Sequence, residues 1–151
     1  MAPPAPWPLQ TRLELAAQPT APGVVRGHVR AVAREWGLAD LADIAELLAS
    51  EIATNAVQAS HRLRTRADVA IVPVIRLWVI SDAVSMVIHV WDASDELPVL
   101  KDSAAGEENG RGLMLVAALG KDWGCYRKPE GKVVWVMITL ADPVSPACAG
   151  D

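Results

Sequence analysis

Hydrophobic positions recur with a helical period in the first half of this 151-residue chain. In "PGVVRGHVRAVAREWGL", valines and a tryptophan follow each other at intervals of three or four residues, and Gly37 is the C-terminal stop. A second apolar stripe begins near Asp40 and runs through "LADIAELLASEIATNAVQAS". The two stripes predict two amphipathic helices that pack against one core.

The period changes to that of strands in the second half. "ADVAIVPVIRLWVIS" and "SMVIHVWDAS" are rich in β-branched residues and tryptophan and predict two strands with a break at residues 81–83. "DWGCYRK" and "KVVWVMITL" flank "PEG", which predicts a hairpin. Residues 12–17 alternate weakly and predict an edge strand, and "RGLMLVAALG" predicts a short helix that ends at Gly120.

The predicted order is β-α-α-β-β-loop-α-β-β, without strict βαβ alternation. This order favours an α+β fold, a two-layer α/β sandwich in which a mixed, mostly antiparallel sheet carries about three helices on one face. We expect residues 1–11 to be a flexible Pro-rich N-terminus, residues 12–140 to be one folded domain and residues 141–151 to be a flexible tail.

Composition and charge narrow the function classes. The chain is 52% hydrophobic and carries a net charge of −4, which is typical of a globular protein and argues against direct nucleic-acid binding, since that needs a basic surface. No stretch reaches the roughly 18 uninterrupted apolar residues of a membrane span, and "MAPPAPWPLQTR" lacks the pattern of a signal peptide. Cys125 and Cys148 have no metal-ligand spacing. We therefore expect a cytoplasmic protein.

The second predicted helix contains an unusual polar pair. Glu51 and Asn55 are four residues apart in "LLASEIATNAVQAS", so they share one helix face, and they border the apolar stripe. An unpaired carboxylate is costly to bury. A pair facing a ligand removes this cost: the amide oxygen suits a hard cation such as Mg²⁺ bound to phosphates, and the carboxylate can act as a base. A solvent-facing pair is the alternative.

Two further segments are candidates for ligand binding. Asp92 ends the apolar strand "VIHVWD", where it is either a turn-capping residue or an acceptor at the mouth of a pocket. In "ENGRGLMLV", Gly110 and Gly112 precede a helix, where glycines allow close approach of a ligand and free amides face an anion. The segment is neither a Walker A motif nor a dinucleotide fingerprint.

These motifs, in this order, resemble the ATP-binding fold shared by gyrase, Hsp90, histidine kinases and MutL. More specifically, the chain resembles the RsbW-like anti-sigma-factor serine/threonine kinases of actinobacterial type. The resemblance extends over about residues 12–140 and includes "VWDAS…P", "GRGL…LV", the "R…W-G-L" of the first helix and the final "W-G…GK-V-W". It implies that residues 12–140 form a histidine-kinase-like ATPase domain.

The resemblance also implies roles for individual residues. Asn55 corresponds to the asparagine that coordinates the Mg²⁺ bridging the ATP phosphates, and Glu51 to the general base for the phosphate acceptor. Asp92 corresponds to the aspartate that accepts the adenine amino group. Residues of about 94–109 correspond to the ATP lid, and the phosphate-binding glycine box corresponds to Gly110, Arg111, Gly112 and Leu113.

Two departures from the family pattern affect these roles. The aspartate box is commonly D-x-G, whereas this chain has Asp92-Ala93-Ser94, and the lid offers only Lys101 as a cation before Arg111. The phosphate charge would therefore rest largely on Mg²⁺, backbone amides and Arg111.

Three functions follow from the resemblance. The first is an ATP- and Mg²⁺-dependent serine/threonine protein kinase that regulates transcription by binding a sigma factor and phosphorylating an anti-anti-sigma protein. The second is a non-catalytic module that binds a sigma factor or another regulator and uses ATP only as a structural element or a switch. The third is an interaction domain without ATP binding. The resemblance also implies a homodimer.

Overall fold

The computed structural model describes residues 7–67, 73–96 and 115–140, with side chains only up to residue 63 in the first segment. Helical residues 115–119 follow the last gap, and a single 3₁₀ turn, Ala39–Leu41, precedes the second helix. In chain order the other elements are β1 (Leu9–Ala16), α1 (Ala21–Glu35), α2 (Ala42–Ala67), β2 (Val74–Ser81), β3 (Ser85–Asp92), β4 (Asp122–Lys128) and β5 (Gly131–Thr139).

The five strands form one sheet in the order β1-β2-β3-β5-β4, and each described neighbouring pair is antiparallel. The predicted α+β sandwich is confirmed, and β1 is an edge strand as the sequence indicates. Among the described residues the predicted element order is also found. β4–β5 is the hairpin expected from the sequence, and β2 and β3 are two strands separated at the predicted break after residue 81. β1 begins at Leu9, three residues earlier than the alternation predicts.

One apolar core lies between the sheet and the helices. The alternation of side chains along each strand puts one face on this core. In β1 the residues alternate between half-buried and exposed, as expected for a strand with one face on a core. The core members of the other strands also lie at alternate positions, and those of the helices recur at helical spacing. The largest fully buried side chains are Leu38, Leu48, Ile52, Ile75, Leu77, Met86 and Ile88, followed by five valines.

The turn between the helices follows from Gly37. Its φ of +76° is favourable for glycine, and it ends α1 with two backbone hydrogen bonds, Gly37 N–H to Arg34 and Leu38 N–H to Ala33. This pair of hydrogen bonds is a Schellman motif, and it agrees with the predicted end of the helix at Gly37. Arg30 of α1 then forms ion pairs with Asp43 and Glu46 of α2. The turn and the ion pairs hold α2 against α1.

The second face of the sheet carries aromatic and cationic side chains. Trp78 stacks on His89 with 4.7 Å between the ring centroids, and Arg12 lies over the Trp78 ring. Arg76 lies over Trp91 and pairs with Glu14. The tryptophans of β2 and β3 are therefore packed by neighbouring strands. No helix among the described residues is both long enough and apolar enough to cross a membrane.

Candidate functional site

Asp92 is the last residue of β3, and its side chain is buried on the helix-facing side of the sheet. The preceding members of that face, Met86, Ile88 and Val90, all belong to the core. The alternation of the strand thus points a carboxylate into the layer between sheet and helices, where the apolar residues end. Only 1% of Asp92 is exposed. It therefore needs polar partners.

The two carboxylate oxygens of Asp92 have different surroundings. Oδ1 accepts a hydrogen bond from Nζ of Lys132 at 2.9 Å and another from the Ser94 backbone N–H at 2.8 Å. Oδ2 is buried as well and has no partner among the described residues. A buried acceptor without a partner costs about 1–3 kcal/mol. Oδ2 is therefore a ready acceptor for a ligand.

Burial and the groups around Asp92 shift its pKa in opposite directions. Burial raises the pKa of Asp92 above its ordinary value of 3.8, and this effect outweighs the rest. The hydrogen bond and charge of Lys132, the Ser94 amide and the charge of Arg62 all lower that pKa. The carboxylate is thus held in surroundings that favour a further hydrogen-bond donor.

Glu51 and Asn55 lie on α2, and the structure shows both half-buried. Their neighbours Ile52 and Ala56 are buried in the core, so the polar pair borders the apolar stripe as the spacing predicts. Nδ2 of Asn55 is buried without a partner among the described residues. Since α2 packs on β3, the amide and the Asp92 carboxylate belong to the two layers that face each other.

The C-terminal half of α2 adds further polar groups. Oε1 of Gln58 and Oγ of Ser60 are also buried without partners among the described residues. Arg62 pairs with Glu96 at 3.2 Å, which ties the helix to the chain that follows Asp92. A cavity of about 380 Å³ lies here, lined by Ala17, Pro19, Val57, Gln58, His61 and Arg62.

The predicted phosphate-binding residues lie outside the described part of the chain. This holds for Gly110, Arg111, Gly112 and Leu113 and for residues 97–109 of the expected lid. The expected roles of these residues stay predictions.

In the part of the chain that the structure describes, the site offers single polar side chains and no cluster of metal ligands. No group of three or more His, Cys, Asp or Glu side chains that could hold a metal ion occurs in the described ranges. Mg²⁺ needs no such group, because it binds through one or two protein oxygens together with substrate phosphates. Nδ2 of Asn55 is a buried donor and Oδ2 of Asp92 a buried acceptor, each without a partner among the described residues, so the two layers offer both kinds of polar group to a ligand.

Sequence reasoning missed Lys132, which shares the site with Asp92. A lysine at the start of an apolar strand is the available signal, but 40 positions separate it from Asp92, and only the β3–β5 register makes them partners. Arg62 is a second residue that sequence reasoning does not single out; its side chain is half-exposed and pairs with Glu96.

Comparisons with known proteins agree with the fold. The sequence matches the profile of the histidine kinase-like ATPase domain over residues 15–138. A similar solved structure is that of the RsbU and RsbW domains of Rv1364c from Mycobacterium tuberculosis, with a TM-score of 0.56 and 18% identity. The alignment includes 89% of this chain and 33% of that one, so the chain spans about a third of its structural relative. No curated protein matches the sequence.

Proposed function

Because the chain belongs to the family of histidine kinase-like ATPase domains, we propose that it is a regulatory protein that binds ATP with Mg²⁺ between α2 and the sheet. We further propose that it is an anti-sigma-factor serine/threonine kinase whose substrate is an anti-anti-sigma protein. The observation that carries the proposal is the buried Asp92 carboxylate, whose Oδ2 has no partner among the described residues.

Asp92 would select the adenine base. The exocyclic amino group of adenine is a hydrogen-bond donor, and Oδ2 is an acceptor held in place by the bonds that Lys132 and Ser94 make to Oδ1. A base without a donor at that point would leave Oδ2 unpaired, which is the usual origin of strong discrimination.

Asn55 would hold the metal end of the nucleotide. Its amide oxygen is a suitable ligand for Mg²⁺, and the Gly110–Leu113 backbone would contribute N–H groups to the phosphates. When bound, Mg²⁺ would neutralise charge on the phosphates.

Glu51 would act on the protein substrate. It lies one helical turn before Asn55 on the same face, so a hydroxyl approaching the terminal phosphate would meet its carboxylate. Glu51 would orient this hydroxyl and take its proton as the oxygen attacks the γ-phosphorus, while the bond from that phosphorus to the β–γ bridging oxygen breaks and ADP leaves. The resemblance to RsbW-like kinases supports the choice of a Ser or Thr hydroxyl; the sigma factor as second partner and a homodimer are proposed on the same ground.

Calorimetry of ATP binding, with and without Mg²⁺, tests the nucleotide proposal. We expect Mg²⁺-dependent binding to the parent and weaker, Mg²⁺-insensitive binding to Asn55→Ala. No binding to the parent would remove the ATP and kinase proposals together.

Phosphate transfer separates the kinase from its alternative. The assay uses γ-labelled ATP and anti-anti-sigma proteins from the same genome. Glu51→Gln should abolish transfer and leave ATP affinity nearly unchanged, and equal transfer by parent and variant would remove the base assignment.

A non-catalytic ATP-dependent module that binds a sigma factor or another regulator is the second candidate. It is favoured by the Asp92-Ala93-Ser94 box, in which a buried Ser94 takes the place of the usual glycine. Binding of a sigma factor without transfer to any anti-anti-sigma protein would support it over the kinase.

A further inference from the structure

Lys132 is buried in a position that a purely structural ion pair does not explain. Its side chain is 4% exposed and that of Asp92 is 1% exposed, with Nζ and Oδ1 2.9 Å apart. Burying two charges is costly unless the remaining hydrogen-bonding positions are also satisfied. Here Oδ2 has no partner among the described residues, so the pair is incomplete as an internal structure.

The pair presents one donor group and one acceptor atom side by side. Oδ1 is occupied by Lys132 and by the Ser94 amide, which leaves Oδ2 as the open acceptor of the carboxylate. The Lys132 ammonium has three hydrogens and gives one to Oδ1, so two stay available. The register fixes this arrangement, because Asp92 and Lys132 are directly paired between β3 and β5.

We propose that Lys132 is a second base-recognising residue, whose ammonium donates to the ring nitrogen N1 of adenine beside the amino group accepted by Asp92. The inference rests on the proposed ATP binding and specifies how the base is held. Adenine carries a donor, its amino group, next to an acceptor, N1, which is complementary to an acceptor next to a donor. Guanine carries the acceptor O6 at the place of that amino group and a donor at N1. Its O6 would face the Asp92 acceptor and its N1–H would face the Lys132 donor, so neither hydrogen bond could form.

Nucleotide analogues test the two contacts separately. 1-Deaza-ATP keeps the amino group and lacks N1, so it loses only the acceptor assigned to Lys132. For the parent we expect 1-deaza-ATP to bind about 10- to 100-fold more weakly than ATP, the loss expected for one hydrogen bond to a charged group. For Lys132→Met we expect ATP to bind as weakly as 1-deaza-ATP. Lys128→Met, which removes an exposed lysine of β4, is the matched control and should keep the parent's difference.

A second variant covers the case in which Lys132→Met does not fold, as judged by far-UV circular dichroism. Lys132→Gln keeps a neutral donor for Oδ1 and should reduce the 1-deaza difference. Equal affinities of the parent for ATP and 1-deaza-ATP would overturn the inference, as would a difference that is unchanged in the folded Lys132 variant. In both cases measurable ATP binding leaves the proposed function standing. Absence of ATP binding to the parent would overturn the proposed function, and this inference with it.

Discussion

Gly131 lies directly against Asp92 in the neighbouring strand. A Cβ on residue 131 would overlap the Asp92 carbonyl oxygen and would come within 2.9 Å of Nε1 of Trp91 and 3.0 Å of the Asp92 carbonyl carbon. The overlapping atoms are backbone, which cannot move aside without shifting the strand. Glycine at this position therefore allows β5 to place Lys132 beside the carboxylate.

We predict that Gly131→Ala is destabilising. Forced separation of β3 and β5 at this point should lower the free energy of unfolding by about 1–3 kcal/mol, as overpacking commonly does, and should weaken ATP binding because Lys132 and Asp92 move apart. Urea denaturation and calorimetry measure the two effects.

Gly27→Ala is the matched control. Apart from its chain neighbours and the backbone of its own helix, no atom lies within 4 Å of a Cβ at residue 27, an exposed position in α1. Alanine should therefore stabilise the helix by about 0.5–1 kcal/mol. A Gly131→Ala variant as stable as the parent would contradict the close approach seen here.

Loss of one member of the Asp92–Lys132 pair should lower the free energy of unfolding more than loss of both. Lys132→Met leaves a buried carboxylate without its cation and should cost about 3–5 kcal/mol, whereas Asp92→Leu combined with Lys132→Met should recover much of that loss. Urea denaturation of the parent, the two single variants and the double variant gives the coupling free energy. Additive effects would show that the two side chains do not act as a pair.

Nucleotide affinity should increase with pH through the titration of Asp92. The folded-state pKa of Asp92 lies above 3.8, so on acidification the carboxylate is protonated earlier than an ordinary aspartate and becomes a poorer acceptor. The ratio of parent to Asp92→Asn affinity cancels the titration of the nucleotide itself. We expect this ratio to fall as the pH falls through the raised pKa. A ratio independent of pH would contradict the role of Asp92.

The contribution of His28 and His89 to folding stability should decrease as the pH falls below about 6.5. Burial lowers the pKa of His89 and of His28 in the folded protein below 6.5, so the unfolded chain binds more protons in that range. Their contribution is fully present above pH 6.5 and is lost progressively as the pH drops toward the lowered values. Replacing both histidines by glutamine should flatten urea-derived stability between pH 5 and 7, and an unchanged slope would assign it to other groups.

Asn55→Leu should separate stability from function. The buried Nδ2 of Asn55 has no partner among the described residues, so an apolar side chain of similar size should raise the free energy of unfolding by about 1 kcal/mol. The same variant should lose the Mg²⁺-dependent part of ATP binding. Asn55→Ala should lose that binding without gaining the stability, since it leaves a void.

Periodicity and turn residues were sufficient to predict the elements and the class of fold. The helical stripes, the stop of α1 at Gly37 and the β4–β5 hairpin depend on local backbone geometry and on which face meets a core. Both are set by the local order of apolar, polar and turn residues. The start of β1 was missed by three residues because the residues before position 12 alternate too little to distinguish strand from tail.

Within the candidate site, the relative placement of two residues was predictable only where both lie on the same secondary-structure element. Glu51 and Asn55 lie on one helix, so their shared face follows from helix geometry alone. Asp92 could be placed at a strand end, but its burial and the inequality of its two oxygens could not be predicted, since both depend on Lys132 and on the turn to Ser94.

The sequence by itself thus determined the elements, their order and the shared helix face of Glu51 and Asn55, because these properties are set by neighbours within one or two turns of the chain. The tertiary structure decided that Lys132 and Asp92 are partners across the β3–β5 pairing, and that Gly131 permits their approach. Strand register is fixed by how the whole sheet buries one face on the helices, and no local pattern around either residue contains that information.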